Sequence, residues 1–137
     1  MQKILALDPG DQWVGTAVSD ALGLTAKPYK TVTLKDIKNF IHQETARLGI
    51  QTIIIGYPLT LKGTESEQTK KVVALKNSLE QEFPHLSFIL WDERLTSKRA
   101  DTLKHAKTKE EKLEAHSVAA AFILQSYLDY LYQKQQQ

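Results

Sequence analysis

Ile4-Leu5-Ala6-Leu7-Asp8-Pro9-Gly10 is the stretch that decides the fold. A short apolar run ends in a carboxylate, and a Pro-Gly breaker follows at once. The pattern predicts a buried strand over residues 3–7 that delivers Asp8 to the rim of a sheet. There the backbone stays tight and a ligand can approach Gly10. Taken alone, the same residues also describe a strand ending in a solvated turn aspartate, because Asp-Pro-Gly is ordinary turn chemistry.

Outward from this stretch, Trp13 to Ser19 alternates in type, with Gly15 inside it, and is the natural antiparallel partner of the first strand. Tyr29 to Thr33 reads as a third strand, with Gly23 and Pro28 in the connection. The period then changes. Thr33-x-x-Asp36 resembles a helix N-cap, Ile37, Phe40, Ile41 and Leu48 share one helical face, and Gly49 ends the helix. Thr52-Ile53-Ile54-Ile55 is an unbroken apolar run, as expected for a strand covered on both faces. Gly56-Tyr57-Pro58 stops it, and residues 59–64 form a loop. Thr64-x-x-Glu67 is a capping-box pattern leading into a helix that buries Val72, Leu75, Leu79 and Phe83 and ends at Pro84. Leu86 to Trp91 is a fifth strand, and it too runs into carboxylates, Asp92-Glu93. Thr96 can cap a short helix carrying Ala100 and Leu103. Residues 107–112 lack an apolar face and read as a mobile loop. A last helix spans about 113–132, and the Gln-rich tail 133–137 is expected to fray.

Three meander strands followed by two helix-then-strand units predict one α/β domain over 1–132. Its mixed five-stranded sheet is flanked by helices. The first, fourth and fifth strands are then parallel, and sites collect beyond the carboxyl ends of such strands. Those ends are Asp8, Gly56-Tyr57-Pro58 and Asp92-Glu93, so three separate segments bring polar chemistry to one edge. The bulk numbers agree with a single domain: 137 residues, 42% of them hydrophobic. The chain has no cysteine, which excludes disulfides and thiolate metal sites. No apolar run approaches the roughly 18 residues of a membrane span. No signal-peptide pattern opens the chain, and a cytoplasmic location is expected. The net charge of +2 is too small to imply nucleic acid by itself.

Asp8 and Asp92-Glu93 make an oxygen-rich, sulfur-free set suited to Mg²⁺ or Mn²⁺. Two such ions can activate a water and clamp a scissile phosphate. The last helix is the obvious supplier of a further ligand. Its apolar stripe runs through Ala120, Ile123, Leu124, Tyr127 and Leu131, and one turn back it reaches His116. Glu114 and Asp129 lie off that face. The helix therefore presents a histidine to the sheet, either as a metal ligand or as a core histidine bonded to a neighbour. From Arg94 to Lys112, seven Lys or Arg stand against three acids. Lys62, Lys70 and Lys71 add to them if the loops after the fourth and fifth strands are neighbours. This is either a track for a phosphate backbone or a solvated face. Arg94 is the best single phosphate contact, since its planar fork can bind bidentately.

Five ordered blocks carry a resemblance over nearly the whole chain: Leu-Asp-Pro-Gly (7–10), Val-Gly-Thr-Ala-Val-Ser-Asp (14–20), Ile-Gly-Tyr-Pro-Leu (55–59) with Gly63, Asp-Glu-Arg-Leu-Thr-Ser (92–97) and Ser-Val-Ala-Ala-Ala-Phe-Ile-Leu-Gln (117–125). The chain resembles the YqgF family, also called RuvX, of bacterial RNase H-like nucleases. The resemblance implies an RNase H-like fold with strand order 3-2-1-4-5. It implies a divalent-metal-dependent endonuclease acting in 5′-end maturation of pre-16S rRNA, or alternatively a Holliday junction resolvase on branched DNA. Asp8 matches the family's first-strand catalytic aspartate, and Glu93, with Asp92 beside it, matches the acidic position of Asp-Glu-Arg. The last-helix block usually has Asp before the Ala-Ala pair, where this chain has His116. The implied metal set is thus Asp8, Glu93 and His116. A weakened Mg²⁺ site or a preference for Mn²⁺ follows, and a catalytically weakened RNA-binding factor is a further reading.

Many family members also carry Lys-Arg where this chain has Gln12-Trp13. Trp13 either stacks on an unpaired base or is a half-covered strand residue. The expected nucleic-acid contacts are Arg94, Lys98, Arg99, Gly10, Lys62 and Trp13, in a monomer or, for a resolvase, a symmetric homodimer. A sugar-kinase or actin-like phosphate binder also opens with Asp-x-Gly before a hairpin, but it needs two such domains and ranks last.

Overall fold

The computed structural model describes residues 2–58, 66–92 and 106–136. Five strands, β1 (Ile4–Pro9), β2 (Trp13–Ser19), β3 (Ala26–Thr33), β4 (Thr52–Tyr57) and β5 (Ser87–Asp92), form one sheet in the order β3-β2-β1-β4-β5. The pairs β1–β2 and β2–β3 are antiparallel, and β1–β4 and β4–β5 are parallel. This is the predicted order. Around the sheet lie α1 (Ile37–Leu48), α2 (Glu67–Glu82) and α3 (Lys109–Gln135), with a 3-10 turn at Leu34–Asp36 before α1.

Side-chain alternation in the central strands divides the interior into two layers. Leu5, Leu7, Ile53 and Ile55 point to the layer shared with Ile41 of α1 and with Val72 and Leu79 of α2. Ile4, Ala6 and Ile54 point to the layer under α3, against Ala120, Ile123 and Leu124. Both layers are needed because β1 and β4 are apolar at almost every interior position, and each fully buried Leu or Ile contributes roughly 1.5–3 kcal/mol. Alanines 115, 119, 120 and 121 are buried on α3, so this helix can lie close to the sheet.

Local chemistry sets the element ends. Thr33 accepts a hydrogen bond from the Asp36 amide, and Gly49 closes α1 with a left-handed φ of 70°. β3 begins three residues before the predicted Tyr29 and contains Pro28. The edge position explains this, because an edge strand tolerates a residue that cannot donate. The cap of α2 is Ser66 rather than Thr64: Ser66 and Thr69 form a reciprocal capping box, and Glu67 sits in the first turn.

The start of α3 is the larger correction. Residues 109–112, predicted as loop, are helical, because Thr108 and Glu111 make a capping box that compensates for the missing apolar face. The helix continues to Gln135, past the predicted stop at residue 132. Its flanks are tied to the edge strand: Thr31 Oγ1 donates to the Leu113 carbonyl, and the Ala26 amide donates to Gln125 Oε1 at 3.0 Å. Among the described residues, no helix is long and apolar enough to cross a membrane. The short helix predicted after Thr96 lies outside the described residues.

Candidate active site

Asp8 is the penultimate residue of β1 and has no solvent exposure. It has the strand parity of Ile4 and Ala6, so the pleat turns it to the α3 face. A carboxylate placed there is costly unless compensated, which separates it from a solvated turn aspartate. Its partner across the β1–β2 ladder is Gly15. The absence of a side chain at Gly15 is what admits the helix. A Cβ there would overlap the His116 carbonyl and lie 2.9 Å from the Ser117 amide nitrogen.

The ring of His116 extends from this contact toward the β1–β2 turn. His116 is half-buried, and its Cε1 lies 4.0 Å from the place a Cβ on Gly10 would occupy. Backbone and ring of one residue thus lie beside two neighbours of Asp8: its cross-strand partner Gly15, and Gly10 two residues on. The turn itself is tight: the Gly10 amide donates to the Trp13 carbonyl at 2.7 Å, and a Cβ on Gly10 would be 3.2 Å from that oxygen. Trp13 is a half-buried strand residue paired with Thr33, beside a cleft of about 390 Å³ that Gln12 and Lys35 also border.

Asp92 is the other described acid at a strand end. Asp92 pairs with Tyr57 and shares the parity of Phe88 and Leu90, which belong to the α1–α2 layer. It ends β5 at the predicted sheet edge, with the strand parity of the α1–α2 layer, whereas Asp8 has the parity of the α3 layer. Glu93, Arg94, Lys98, Arg99 and Lys62, all predicted site residues, lie outside the described residues. Among the described residues, no three His, Cys, Asp or Glu side chains cluster closely enough to hold a metal ion.

α2 adjoins the β1–β2 turn. Lys71 Nζ lies 3.4 Å from Asp11 Oδ1, and Gln68 Nε2 donates to the Pro9 carbonyl at 3.4 Å. Lys107, Lys109 and Lys112 are exposed around the start of α3. Two features were missed by sequence reasoning. One is the Gly15 contact, for which an isolated glycine inside a strand is the available signal. The other is an aromatic group on the α3 face, where the Trp91 ring lies 5.1 Å from Tyr127 and 5.2 Å from Tyr130, with the indole N–H donating to Ser126 Oγ. The spacing of Tyr127 and Tyr130 by one helical turn was its only visible trace.

Comparison with known proteins bears on the family and the fold. A family profile described as "RuvX: Holliday junction resolvase" matches residues 2–130. A protein of Sulfurihydrogenibium sp. named "Putative pre-16S rRNA nuclease" is 42% identical over 135 residues, spanning 96% of this chain and 92% of its own. A protein of Clostridium tetani with the same name is 37% identical over 145 residues, spanning 96% of this chain and 99% of its own. Among solved structures, T. thermophilus RuvC in complex with a Holliday junction substrate superposes with a TM-score of 0.58 over 95% of this chain and 96% of that one. Its sequence identity is 11%, so that likeness bears on the fold alone. With the profile spanning almost every element from β1 to α3, the chain belongs to the RuvX family.

Proposed function

We propose that this protein is a divalent-metal-dependent endonuclease that cleaves precursor 16S rRNA in the cytoplasm during 5′-end maturation. The observation that carries the reading is Asp8: a carboxylate with no solvent exposure at the end of the central strand, whose cross-strand partner Gly15 seats His116 of α3. Family membership and the names of the relatives support the reaction class.

Asp8 and His116 fit two donors of a hard or borderline divalent site, a carboxylate oxygen and an imidazole nitrogen. Glu93 is proposed as the second carboxylate, as the resemblance implies, since Asp92 has the strand parity of the other layer. When bound, the ion supplies Lewis-acid polarisation of the scissile phosphate and lowers the pKa of an attacking water. The chain's own contribution is positional. Asp8 is held by the β1 ladder, and His116 is held by the seat of α3 on Gly15. Arg94 is proposed to grip the phosphate bidentately, with Lys98, Arg99 and Lys62 tracking the backbone beside it.

A second substrate, the four-way DNA junction, is favoured by the family description. Cleavage of precursor 16S rRNA and of four-way junctions, each with Mg²⁺ or Mn²⁺, tests both for the wild type and Asp8→Asn. Cleavage of rRNA precursor that Asp8→Asn abolishes is the expected result. Cleavage confined to junctions overturns the rRNA assignment, and metal-independent cleavage overturns the mechanism.

A further inference from the structure

A cleft of about 580 Å³ opens on the sheet face opposite α3, between the β1–β2 turn, the 3-10 turn, the start of α1 and the outer side of α2. Its size falls within the range of small-ligand sites, roughly 300–1,000 Å³. Buried Ile37 and Val72 and half-buried Leu75 give it an apolar floor. Lys35, Lys38 and Lys71 line its rim, and all three are exposed. Among the described lining residues, Asp11 is the one carboxylate, and Lys71 lies 3.4 Å from it. A cationic rim around an apolar floor suits a ligand that is apolar and flat at one end and anionic at the other. A nucleobase with its phosphate has that form, whereas an acyl chain needs no lysines and a free anion needs no floor.

The cleft and the Asp8 site share a wall. Pro9 and Gly10 line the cleft, and a side chain on Gly10 would come to 4.0 Å from the His116 ring. A strand lying at Asp8 reaches the cleft by crossing one tight turn, kept thin because Gly10 carries no side chain. Gln68 also lines the cleft and is tied to the turn through the Pro9 carbonyl. An amide can meet a base edge as donor or acceptor.

We propose that this cleft takes one unpaired nucleotide of the same strand that lies at Asp8. The base rests on Ile37, Val72 and Leu75, and the neighbouring phosphates meet Lys35 and Lys38. The inference rests on the nuclease reading and deepens it: the enzyme selects a strand from which a base can leave the stack.

Fluorescence anisotropy of a labelled single-stranded RNA, measured across a salt series, tests the proposal. Three proteins are compared: the wild type, Ala74→Trp and Lys35→Ala/Lys38→Ala. Ala74 lines the cleft from an exposed position on α2, so an indole there fills the cleft without entering the core. Ala74→Trp should weaken binding about tenfold, the scale of one base's stacking, with the salt dependence unchanged. The lysine pair should lower the slope of log K against log salt by about 0.7 for each phosphate that is no longer neutralised. If the wild type binds and cleaves RNA and both variants bind as it does, the cleft assignment is wrong and the nuclease reading stands. If Ala74→Trp leaves RNA affinity unchanged but alters the sedimenting mass, a second copy of the chain covers the cleft and the proposal is overturned. If the wild type binds neither RNA nor DNA, the nuclease reading fails and takes the cleft proposal with it.

Discussion

Asp8 and Gly15 face each other across the β1–β2 ladder, and α3 sits on the glycine. The buried carboxylate of the candidate site is therefore paired with a residue that has no side chain. A methyl group at 15 meets backbone atoms of His116 and Ser117, which cannot rotate away. Gly15→Ala is expected to shift α3 outward at a cost of about 1–3 kcal/mol, as overpacking does. Thermal unfolding reads the stability, and cleavage should fall further than the reduced folded fraction accounts for. Unchanged cleavage in a folded Gly15→Ala protein would show that the seat of α3 does not position the site.

Asp8→Asn keeps the shape of the side chain and removes its charge. Cleavage is expected to drop by more than about a hundredfold, beyond the usual cost of altering a group behind a metal ligand. Melting temperature should stay level or rise, because the variant no longer buries a carboxylate.

By the resemblance, His116 stands where the last-helix block usually has Asp, and imidazole suits Mn²⁺ better than Mg²⁺. His116→Asp is expected to raise the ratio of Mg²⁺-supported to Mn²⁺-supported cleavage, and His116→Ala to lower activity with both. Cleavage higher in Mg²⁺ and indifferent to His116→Ala removes the histidine from the metal set. A wild type that binds RNA without cleaving it, with cleavage appearing in His116→Asp, identifies a binding factor that has lost its third acid.

The sheet was legible because its cues are local. The unbroken run Ile53-Ile54-Ile55 needs cover on both faces, and the alternation from Trp13 to Ser19 needs a partner strand. Asp8 and His116 were legible for the same reason, one ending a strand and one extending a helical stripe. Asp92 was legible as the end of β5, but its layer follows from register with β4, which no short window contains. The start of α3 was misread because its first turn has no apolar residue, although Thr108 and Glu111 spelled a capping box. The lysine-rimmed cleft could not be read at all. Its walls come from residues 9–11, 34–38 and 68–75, which only the folded chain brings together.

Arg94 is the cation nearest in sequence to the proposed Glu93. Arg94→Ala is expected to weaken nucleic-acid binding and to reduce the salt slope by about 1 on a duplex substrate. It should lower cleavage in parallel without changing the melting temperature. Unaltered binding at physiological salt would remove Arg94 from the phosphate track.

Glu44 supplies a pH dependence away from the site. Its side chain is 8% exposed on α1, where it accepts hydrogen bonds from Tyr29 at 2.8 Å and Arg47 at 2.7 Å, with Lys30 at 3.5 Å. Burial pushes this carboxyl up, but the bonds from Arg47 and Tyr29 and the charges of Arg47 and Lys30 outweigh it and hold it below the usual glutamate range. A depressed carboxyl favours the folded state above its unfolded pKa, and that contribution is lost as pH falls through the lower folded value. Hydrogen bonds to charged groups contribute about 1.5–3 kcal/mol in buried settings, and exposure of Arg47 and Lys30 reduces this to about 1 kcal/mol. Glu44→Gln should therefore lower the melting temperature at pH 7, and the gap to wild type should narrow as the pH is taken down from the ordinary glutamate range, about 4.3, through the lower folded value. A gap of constant size across that range would mean that the bonds from Tyr29 and Arg47 do not discriminate the charged carboxylate from its neutral form.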